Sequence, residues 1–233
     1  MRKVEKHSLS DQAYALIKED IVTCGFDPGQ FIAQSELAEK YAVGMTPIRE
    51  ALRRLTQEGF VRSLPRMGYI VSPITPQDVE EIFELRIILE TAAVRLAASR
   101  APESALDQIA QVATVTYMYK DRQSYTSFLK FNAKFHNSIA TSTGNQRLVF
   151  QVSKTMDELT RVFHLGLDLR DSAEEMRQDH LALIDALRKH DAALAEQCIR
   201  SEILLSRERV LEAIKQYPSD VYLKGASHGV HIN

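Results

Sequence analysis

Four polar side chains of metal-ligand type fall at inward-facing positions of helices predicted in the second half of the chain. Asn132 and His136 are four residues apart, so they share one helical face with apolar neighbours. His180 and Glu202 each fall on the apolar stripe of a later helix. Imidazole nitrogen with carboxylate or amide oxygen suits Zn²⁺ or Ni²⁺, and also Mn²⁺. The set predicts one divalent metal per subunit, although an inward histidine is more commonly an ordinary core residue.

A buried charge pair is predicted on an earlier helix. Arg86 falls on the apolar stripe of that helix, and Glu90 follows it by four residues. Two interpretations remain open for this pair. Arg86 and Glu90 could form an internal ion pair that positions helices, or Arg86 could neutralise the carboxylate of a bound small molecule.

A cluster of basic side chains lies between residues 49 and 66. Its members are Arg49, Arg53, Arg54, Arg62 and Arg66. Only Glu50 and Glu58 are acidic in the same segment. Arginine neutralises phosphate and also forms paired hydrogen bonds with guanine, so the cluster favours DNA contact. The alternative is a solvated amphipathic helix with no nucleic-acid role.

The sequence of the first 72 residues predicts two helices, a turn, a third helix and a hairpin, in that order. Predicted N-caps are Ser10, Ser35 and Thr46, and Gly59 is the expected residue after the third helix. Helices are predicted over 11–23, from Ser35 onward, and from Thr46 to about Glu58. A short strand is predicted at 31–32, and two further strands are predicted over 60–64 and 69–72. This order is a winged helix-turn-helix, whose third helix presents its first residues to the DNA major groove.

The rest of the chain predicts a second, helical domain. Two prolines, Pro73 and Pro76, interrupt regular structure, and residues 73–77 form the predicted linker. Helices are predicted near 76–100, 103–120, 122–142, 145–169, 172–190 and 191–216. The fold class is therefore mainly α, with a winged helix-turn-helix domain over 1–72 and an antiparallel all-helical bundle of about six helices over 78–217. Residues 218–233 are predicted to be a disordered tail without a role for His228 or His231.

Composition narrows the class of protein. The 233 residues are 45% hydrophobic and 26% charged with a net charge of −2, which is ordinary for a globular protein that folds without a membrane. Cys24 and Cys198 are too few and too distant for a disulfide framework, and we expect a cytoplasmic location. The chain contains no phosphate-binding glycine loop, no nucleophile elbow and no Glu-x-x-His motif. We therefore predict a protein that is not an enzyme, with a helical metalloenzyme as a competing interpretation.

Residues 10–72 resemble the GntR family of bacterial regulators. The resemblance rests on segments 36–38, 42–43, 46–55 and 58–61, and on a wing-like segment over 66–71. It implies a homodimer that binds a short palindromic DNA operator. The DNA-contacting positions it implies are Ser35, Met45, Thr46, Arg49, Arg53, Arg66 and Gly68. Gly44 and Met45 depart from the family pattern, in which Ser or Thr and then Arg are common, so an atypical operator is expected.

Residues 74–212 resemble the FadR-type effector domain, called FCD, through segments 78–86, 132–136, 144–145 and 180–186. The resemblance implies a ligand cavity, often for a small carboxylate, and an effector-binding role for Arg86, Glu90 and Asn145. Positions matching the family's metal ligands normally carry Asp and three His, so Asn132 and Glu202 are departures. The sequence thus predicts a ligand-responsive transcriptional repressor. The alternative is a winged-helix protein-interaction module with a metal-binding helical domain.

Overall fold

The computed structural model describes residues 8–167 and 171–216 and divides the chain into two compact units. The first unit contains the described residues up to Thr75, and the second contains Pro76–Gln216. The mainly helical fold class predicted from the sequence is confirmed. The predicted tail over 218–233, with His228 and His231, lies outside the described residues. Among the described residues, no helix has the length and apolar character that a bilayer span requires.

The first unit contains three helices and a three-stranded sheet among its described residues. They are α1 (Leu9–Val22), β1 (Phe31–Ile32), α2 (Gln34–Lys40), α3 (Met45–Gln57), β2 (Val61–Leu64) and β3 (Gly68–Val71). The strands are antiparallel in the order β1-β3-β2. In α3, Ile48, Leu52 and Leu55 are fully buried at intervals of three and four residues. This spacing turns one face of α3 into the core and leaves the opposite face exposed.

All three helices of the first unit begin one or two residues earlier than predicted. Helix α1 is capped by Ser8, whose side chain accepts from the Asp11 amide, and not by Ser10. The Ser10 hydroxyl instead donates to Glu50 of α3. A reciprocal bond from the Ser8 amide to the Asp11 carboxylate completes a capping box, and this explains why Ser8 displaces Ser10 as the cap.

The predicted caps of α2 and α3 are also wrong. Ala33 precedes α2, so Ser35 lies in the first turn of that helix and does not cap it. Gly44 precedes α3, and Met45 and Thr46 are its first two helical residues. Pro47 is then third, a position where its missing N–H removes no helical hydrogen bond, because the first four amides of a helix lack partners. Thr46 is exposed and free to present its hydroxyl to another molecule.

The second unit is a bundle of long helices around α4. Its elements are α4 (Pro76–Arg100), α5 (Glu103–Ala113), α6 (Arg122–Ser142), α7 (Gln146–Gly166), α8 (Ala173–Arg188) and α9 (Ala192–Gln216). Helix α4 contacts α6, α7, α8 and α9, and this central position explains why residues such as Phe83 and Ala97 are fully buried. Side chains on the inner face of α4 can therefore meet side chains from four other helices.

One helix of the second unit is shorter than predicted. Helix α5 ends at Ala113, whereas the sequence predicted helix to residue 120. The β-branched residues Thr114, Val115 and Thr116 follow directly and disfavour helix. Tyr117 is buried, and its hydroxyl oxygen accepts from the Ser172 amide at 2.9 Å, so tertiary contacts hold the chain out of the helix. The other five helices agree with the prediction to within three residues over the described positions.

Gly68 at the start of β3 has a structural reason to be glycine. Its φ is +122°, and a Cβ there would lie 2.9 Å from Phe31 Cζ. We expect Gly68→Ala to lower the free energy of unfolding of the first unit by about 2 kcal/mol, because a side chain rarely adopts this φ and the exposed Phe31 ring would also have to move aside. Urea unfolding of the full chain measures this change.

Gly59→Ala is the matched control for this substitution. Gly59 also has a positive φ, +84°, but nothing lies within 4 Å of the added Cβ. We expect about 1 kcal/mol of backbone strain alone at this position. Equal losses for the two variants would show that the contact with Phe31 has no energetic weight.

Candidate functional site

The exposed face of α3 carries four of the residues predicted to contact DNA. Thr46, Arg49 and Arg53 are exposed, and within the described residues neither arginine makes an ion pair. Met45, at the start of the same helix, is 40% exposed and offers an apolar side chain without a hydrogen-bonding group for bases. This face can therefore supply charge, a hydroxyl and one apolar contact to a ligand.

Arg54 belongs to the same basic cluster but has a structural role. Its guanidinium lies 2.7 Å from the Asp11 carboxylate and 3.9 Å from the centre of the Tyr14 ring. The Tyr14 hydroxyl in turn donates to Glu58 at 2.9 Å. These contacts fasten α3 to α1, so Arg54 positions the helix that carries Arg49 and Arg53.

The hairpin places Arg66 and Met67 at its exposed tip. Arg66 has a φ of +65°, and Gly68 follows with a φ of +122°. The tight turn leaves the Arg66 side chain exposed beside the start of β3. Ser35 is exposed in the first turn of α2. The structure thus leaves exposed six of the seven residues predicted to contact DNA, and Gly68 is half-buried.

The second unit brings together five of the residues predicted to bind metal or effector. Arg86 and Glu90 come from α4, His136 from α6, His180 from α8 and Glu202 from α9. All five are at least 95% buried. Asn132, one turn before His136 on α6, is also buried. Since α4 contacts α6, α8 and α9, helix packing alone brings these distant positions into one polar cluster.

Arg86 joins the two carboxylates of this cluster. Its Nε donates to Glu90 Oε1 at 2.6 Å, and its Nη2 donates to Glu202 Oε1 at 3.0 Å. The internal Arg86–Glu90 pair considered from the sequence is therefore present. Burial raises the pKa of Glu90, but Arg86 and His136 outweigh that effect, and the pKa is held below its usual value. Both carboxylates are consequently charged in this apolar interior.

The two histidines of the cluster have opposite protonation tendencies. His136 Nδ1 lies 2.6 Å from Glu90 Oε2, and His136 Nε2 lies 3.4 Å from Glu202 Oε1. Burial opposes a charge on His136, but the two carboxylates outweigh it and raise its pKa to about 9. For His180 burial dominates, with the nearby Arg86 and His136 charges adding to it, and the pKa falls to about 4. His180 is therefore the neutral imidazole of the cluster near neutral pH.

Several buried polar atoms of the cluster have no hydrogen-bond partner among the described residues. They are Asn132 Oδ1, His180 Nε2, Glu202 Oε2 and Arg86 Nη1. An unpaired buried polar atom costs about 1–3 kcal/mol, so these atoms mark a site that a ligand, an ion or water can satisfy. The ligand-type atoms of His136, His180 and Glu202 lie within 4.8 Å of one another. Of the four unpaired atoms, Asn132 Oδ1, His180 Nε2 and Glu202 Oε2 suit a cation, and Arg86 Nη1 suits an anion.

Asn145 is not brought to this cluster. It is exposed, and its side chain caps α7 by accepting from the amides of Arg147 and Leu148 at 3.2 Å. The N-cap role accounts for the presence of an asparagine at this position. Asn145 therefore has no place in the effector site that the structure indicates.

Aromatic side chains that the sequence analysis did not single out surround the cluster. Phe83 and Phe163 each place a ring centre within about 6 Å of the Arg86 guanidinium. Phe135 stacks on the His180 ring with centres 4.0 Å apart. The contact of Phe83 with Arg86 could have been predicted, because the two residues are three apart on one helix. No local pattern in the sequence relates Phe163 to that arginine. The rings exclude water and fix the two polar groups.

Two family models match the chain. The model described as "Bacterial regulatory proteins, gntR family" matches residues 9–71, and the model of the FCD domain matches residues 81–204. Together these segments contain the exposed face of α3, the hairpin and most of the bundle. The resemblances noted in the sequence are confirmed by both models.

Curated relatives extend over nearly the whole chain. The HTH-type transcriptional repressor RspR of Escherichia coli (strain K12) is 26% identical over 212 residues, which cover 91% of this chain and 92% of RspR. The HTH-type transcriptional repressor GlaR of the same strain is 27% identical over 199 residues, covering 82% of this chain and 90% of GlaR.

Solved structures show the same fold. E. coli McbR/YncC superposes with a TM-score of 0.76 at 20% identity, covering 91% of this chain and all (100%) of that chain. A putative GntR regulator from Rhodococcus sp. RHA1 gives a TM-score of 0.74 at 18% identity, covering 91% of this chain and 100% of that chain.

The comparisons also decide between the competing functional classes. Regulators of this family bind DNA and are not enzymes, so the metalloenzyme interpretation is wrong. The protein-interaction alternative receives no support from the relatives. With its winged helix-turn-helix matched at 9–71 and its helical domain at 81–204, the chain belongs to the GntR family and is a DNA-binding transcriptional regulator with an FCD domain.

Proposed function

We propose that this regulator is a repressor that binds a palindromic operator as a homodimer and responds to a small carboxylate. The observation that carries this proposal is the buried cluster around Arg86, a charged site with unpaired donors and acceptors inside a domain attached to a DNA-reading helix. A two-fold symmetric operator requires two copies of α3, so a homodimer is the simplest assembly.

The first residues of α3 are assigned to base edges. Arg49 offers paired donors for guanine, and Thr46 offers a hydroxyl. Met45 suits the methyl group of thymine, because apolar side chains contact that group in the major groove. Arg53, Arg66 and Ser35 are assigned to phosphates, and the half-buried Gly68 lets the hairpin approach the backbone.

Arg49→Ala tests the DNA-reading assignment. We expect operator binding to weaken by about 1–3 kcal/mol and sequence preference at one base pair to relax, since a paired contact to guanine is lost. Fluorescence anisotropy against operator and random DNA at two salt concentrations measures both effects. Arg53→Ala should weaken binding to all sequences alike, and Arg177→Ala, in the other unit, should change nothing. Unchanged affinity and preference for Arg49→Ala would contradict the assignment.

The cluster fits a divalent metal by the chemistry and spacing of its donors. Glu202 Oε1 lies 3.4 Å from His136 Nε2 and 3.9 Å from His180 Nε2. Two atoms that each lie about 2.0–2.2 Å from one Zn²⁺ are themselves about 3–4 Å apart, so this spacing fits a shared ion. The ion would replace the contacts of Arg86 Nη2 with Glu202 Oε1 and His136 Nε2, and it would displace the proton of His136. The unpaired Oδ1 of Asn132 offers a fourth, neutral donor. We assign His136, His180, Glu202 and Asn132 as the ligands of one Zn²⁺ or Ni²⁺.

A metal at these ligands would supply a Lewis-acid position for an effector carboxylate. Arg86 would then contribute its unpaired Nη1 to the same anion, since a guanidinium binds carboxylates in pairs of hydrogen bonds. Glu90 holds the Nε of Arg86 and so orients the guanidinium. The Phe83 and Phe163 rings exclude water around it and strengthen these electrostatic interactions.

Zinc addition tests the metal assignment. At about 100 times its Kd, Zn²⁺ should raise the free energy of unfolding by roughly 2.7 kcal/mol, because it binds only the folded protein. His180→Asn should abolish this stabilisation. His190→Asn is the matched control, since His190 Nδ1 contacts the Ala98 carbonyl outside the cluster. Elemental analysis without stoichiometric metal, together with no stabilisation by Zn²⁺ or Ni²⁺, would contradict the assignment.

A further inference from the structure

Arg86 contacts the same two atoms that the metal assignment gives to a cation. Its Nη2 donates to Glu202 Oε1 at 3.0 Å and lies 3.2 Å from His136 Nε2. Glu202 Oε1 in turn lies 3.4 Å from His136 Nε2 and 3.9 Å from His180 Nε2. Two cations at one oxygen repel each other strongly in a buried site, where water does not screen them. The guanidinium and a divalent ion would therefore compete for this oxygen.

Only part of the Arg86 guanidinium is engaged by the proposed metal ligands. Its Nε donates to Glu90 Oε1 at 2.6 Å, and Glu90 lies on α4 itself, outside the assigned ligand set. This bond can persist while Nη2 changes its partner. The ring centres of Phe83 and Phe163 lie 6.0 and 5.8 Å from the guanidinium carbon and enclose the group. The guanidinium can thus turn about its Nε anchor and remain inside the cluster.

The two Nη atoms of Arg86 determine what a displaced guanidinium can bind. Nη1 is buried without a hydrogen-bond partner among the described residues. A guanidinium binds a carboxylate most strongly through two parallel N–H donors. Nη1 and Nη2 form such a pair only when Glu202 does not hold Nη2. The same side chain can therefore neutralise Glu202 in one arrangement and bind an external carboxylate in the other.

We propose that Arg86 is an internal cation that competes with the divalent metal for Glu202 and His136, and that its displacement by the metal frees Nη1 and Nη2 for the carboxylate effector. The proposal rests on the metal site and the effector of the proposed function, and it adds how the two are coupled. The metal supplies the positive charge that Glu202 loses, and Arg86 then presents a complete pair of donors. By linkage, the effector must raise the affinity for the metal by the same factor.

Arg86→Met in the full chain tests the competition. Titration of Zn²⁺ against a chromophoric chelator should show the Zn²⁺ Kd falling by about 10-fold or more, because the ion no longer replaces a charged hydrogen bond. Arg188→Met is the matched control. Arg188 lies on α8 with His180, but its guanidinium is 40% exposed and pairs with Asp107 at the surface. Its loss should change the Zn²⁺ Kd by less than about 3-fold, since solvent screens this charge.

A second measurement follows Arg86 in the unmodified protein, so it does not depend on the stability of Arg86→Met. The guanidinium hydrogens of a buried arginine exchange slowly and give separate signals in ¹⁵N-resolved NMR spectra, and Arg86→Lys identifies those of Arg86. Saturating Zn²⁺ should shift the Nη2 signal and leave the Nε signal in place. Zn²⁺ binding with unchanged Nη signals, or with an unchanged Kd in Arg86→Met, would overturn the competition while leaving the metal assignment intact.

Acetate is the probe for the freed pair of donors. It should shift the Arg86 Nη signals when Zn²⁺ is bound and leave them unchanged in zinc-free buffer. Equal shifts under both conditions, or no shift under either, would overturn the release of the pair. If Zn²⁺ binds neither the unmodified protein nor Arg86→Met, both this proposal and the metal assignment of the proposed function are overturned.

Discussion

Arg86→Met is expected to lower the free energy of unfolding of the helical unit by roughly 3–5 kcal/mol. The loss arises because Glu90 and Glu202 would remain buried without the guanidinium that now bonds both of them. Methionine fills much of the same volume, so the change in packing is small. Urea unfolding followed by circular dichroism, in the presence of a chelator, measures the loss.

Two further variants separate the charge effect from packing. Arg177→Met removes a half-buried arginine whose ion pair with the exposed Glu174 lies at the surface, and it should leave stability nearly unchanged. Adding Glu202→Gln to Arg86→Met removes one stranded carboxylate and should recover part of the lost stability. A loss below about 1 kcal/mol for Arg86→Met alone would show that the carboxylates do not depend on it.

The stability of the metal-free protein should pass through a maximum near pH 6.5 because the two buried histidines shift in opposite directions. The folded state holds the His136 proton up to a pKa of about 9, against 6.5 when unfolded. Its stabilising contribution is therefore complete below pH 6.5 and is lost as the pH rises towards 9. Such a shift corresponds to roughly 3 kcal/mol.

The acidic side of the maximum depends on His180. Its pKa in the folded protein is about 4, so the unfolded chain binds a proton more readily once the pH drops below 6.5. Stability is therefore lost as the pH falls from 6.5 towards 4. Unfolding at pH 5.0, 6.5 and 8.5 with a chelator measures both slopes. His180→Asn should flatten the acidic slope alone, and His136→Gln the alkaline slope alone. A flat profile between pH 6.5 and 8.5 for the unmodified protein would contradict the charged state of His136.

Local patterns in the sequence were sufficient to predict which face of the DNA-reading helix is buried and which is exposed. The spacing of Ile48, Leu52 and Leu55 identifies the buried face of α3, and Arg49 and Arg53 then fall on the exposed face because helical geometry is regular. The start of α1 was predicted wrongly, although the sequence distinguishes the two serines. Ser8 is followed three residues later by Asp11, which completes a capping box, whereas Ser10 is followed by Ala13 and its hydroxyl instead donates to Glu50.

Some features of the buried cluster follow from local sequence patterns, and others depend on the tertiary structure. The sequence by itself determined that Asn132 and His136 share a face, that Arg86 and Glu90 are one turn apart, and that His180 and Glu202 point inward. Only the tertiary structure decided that Arg86 bonds Glu202, 116 positions later, and that Asn145 caps a helix away from the cluster. The reason is physical. Helical periodicity dictates the direction of a side chain relative to its own axis, whereas the packing of α4 against α6, α8 and α9 sets which inward-facing residues meet.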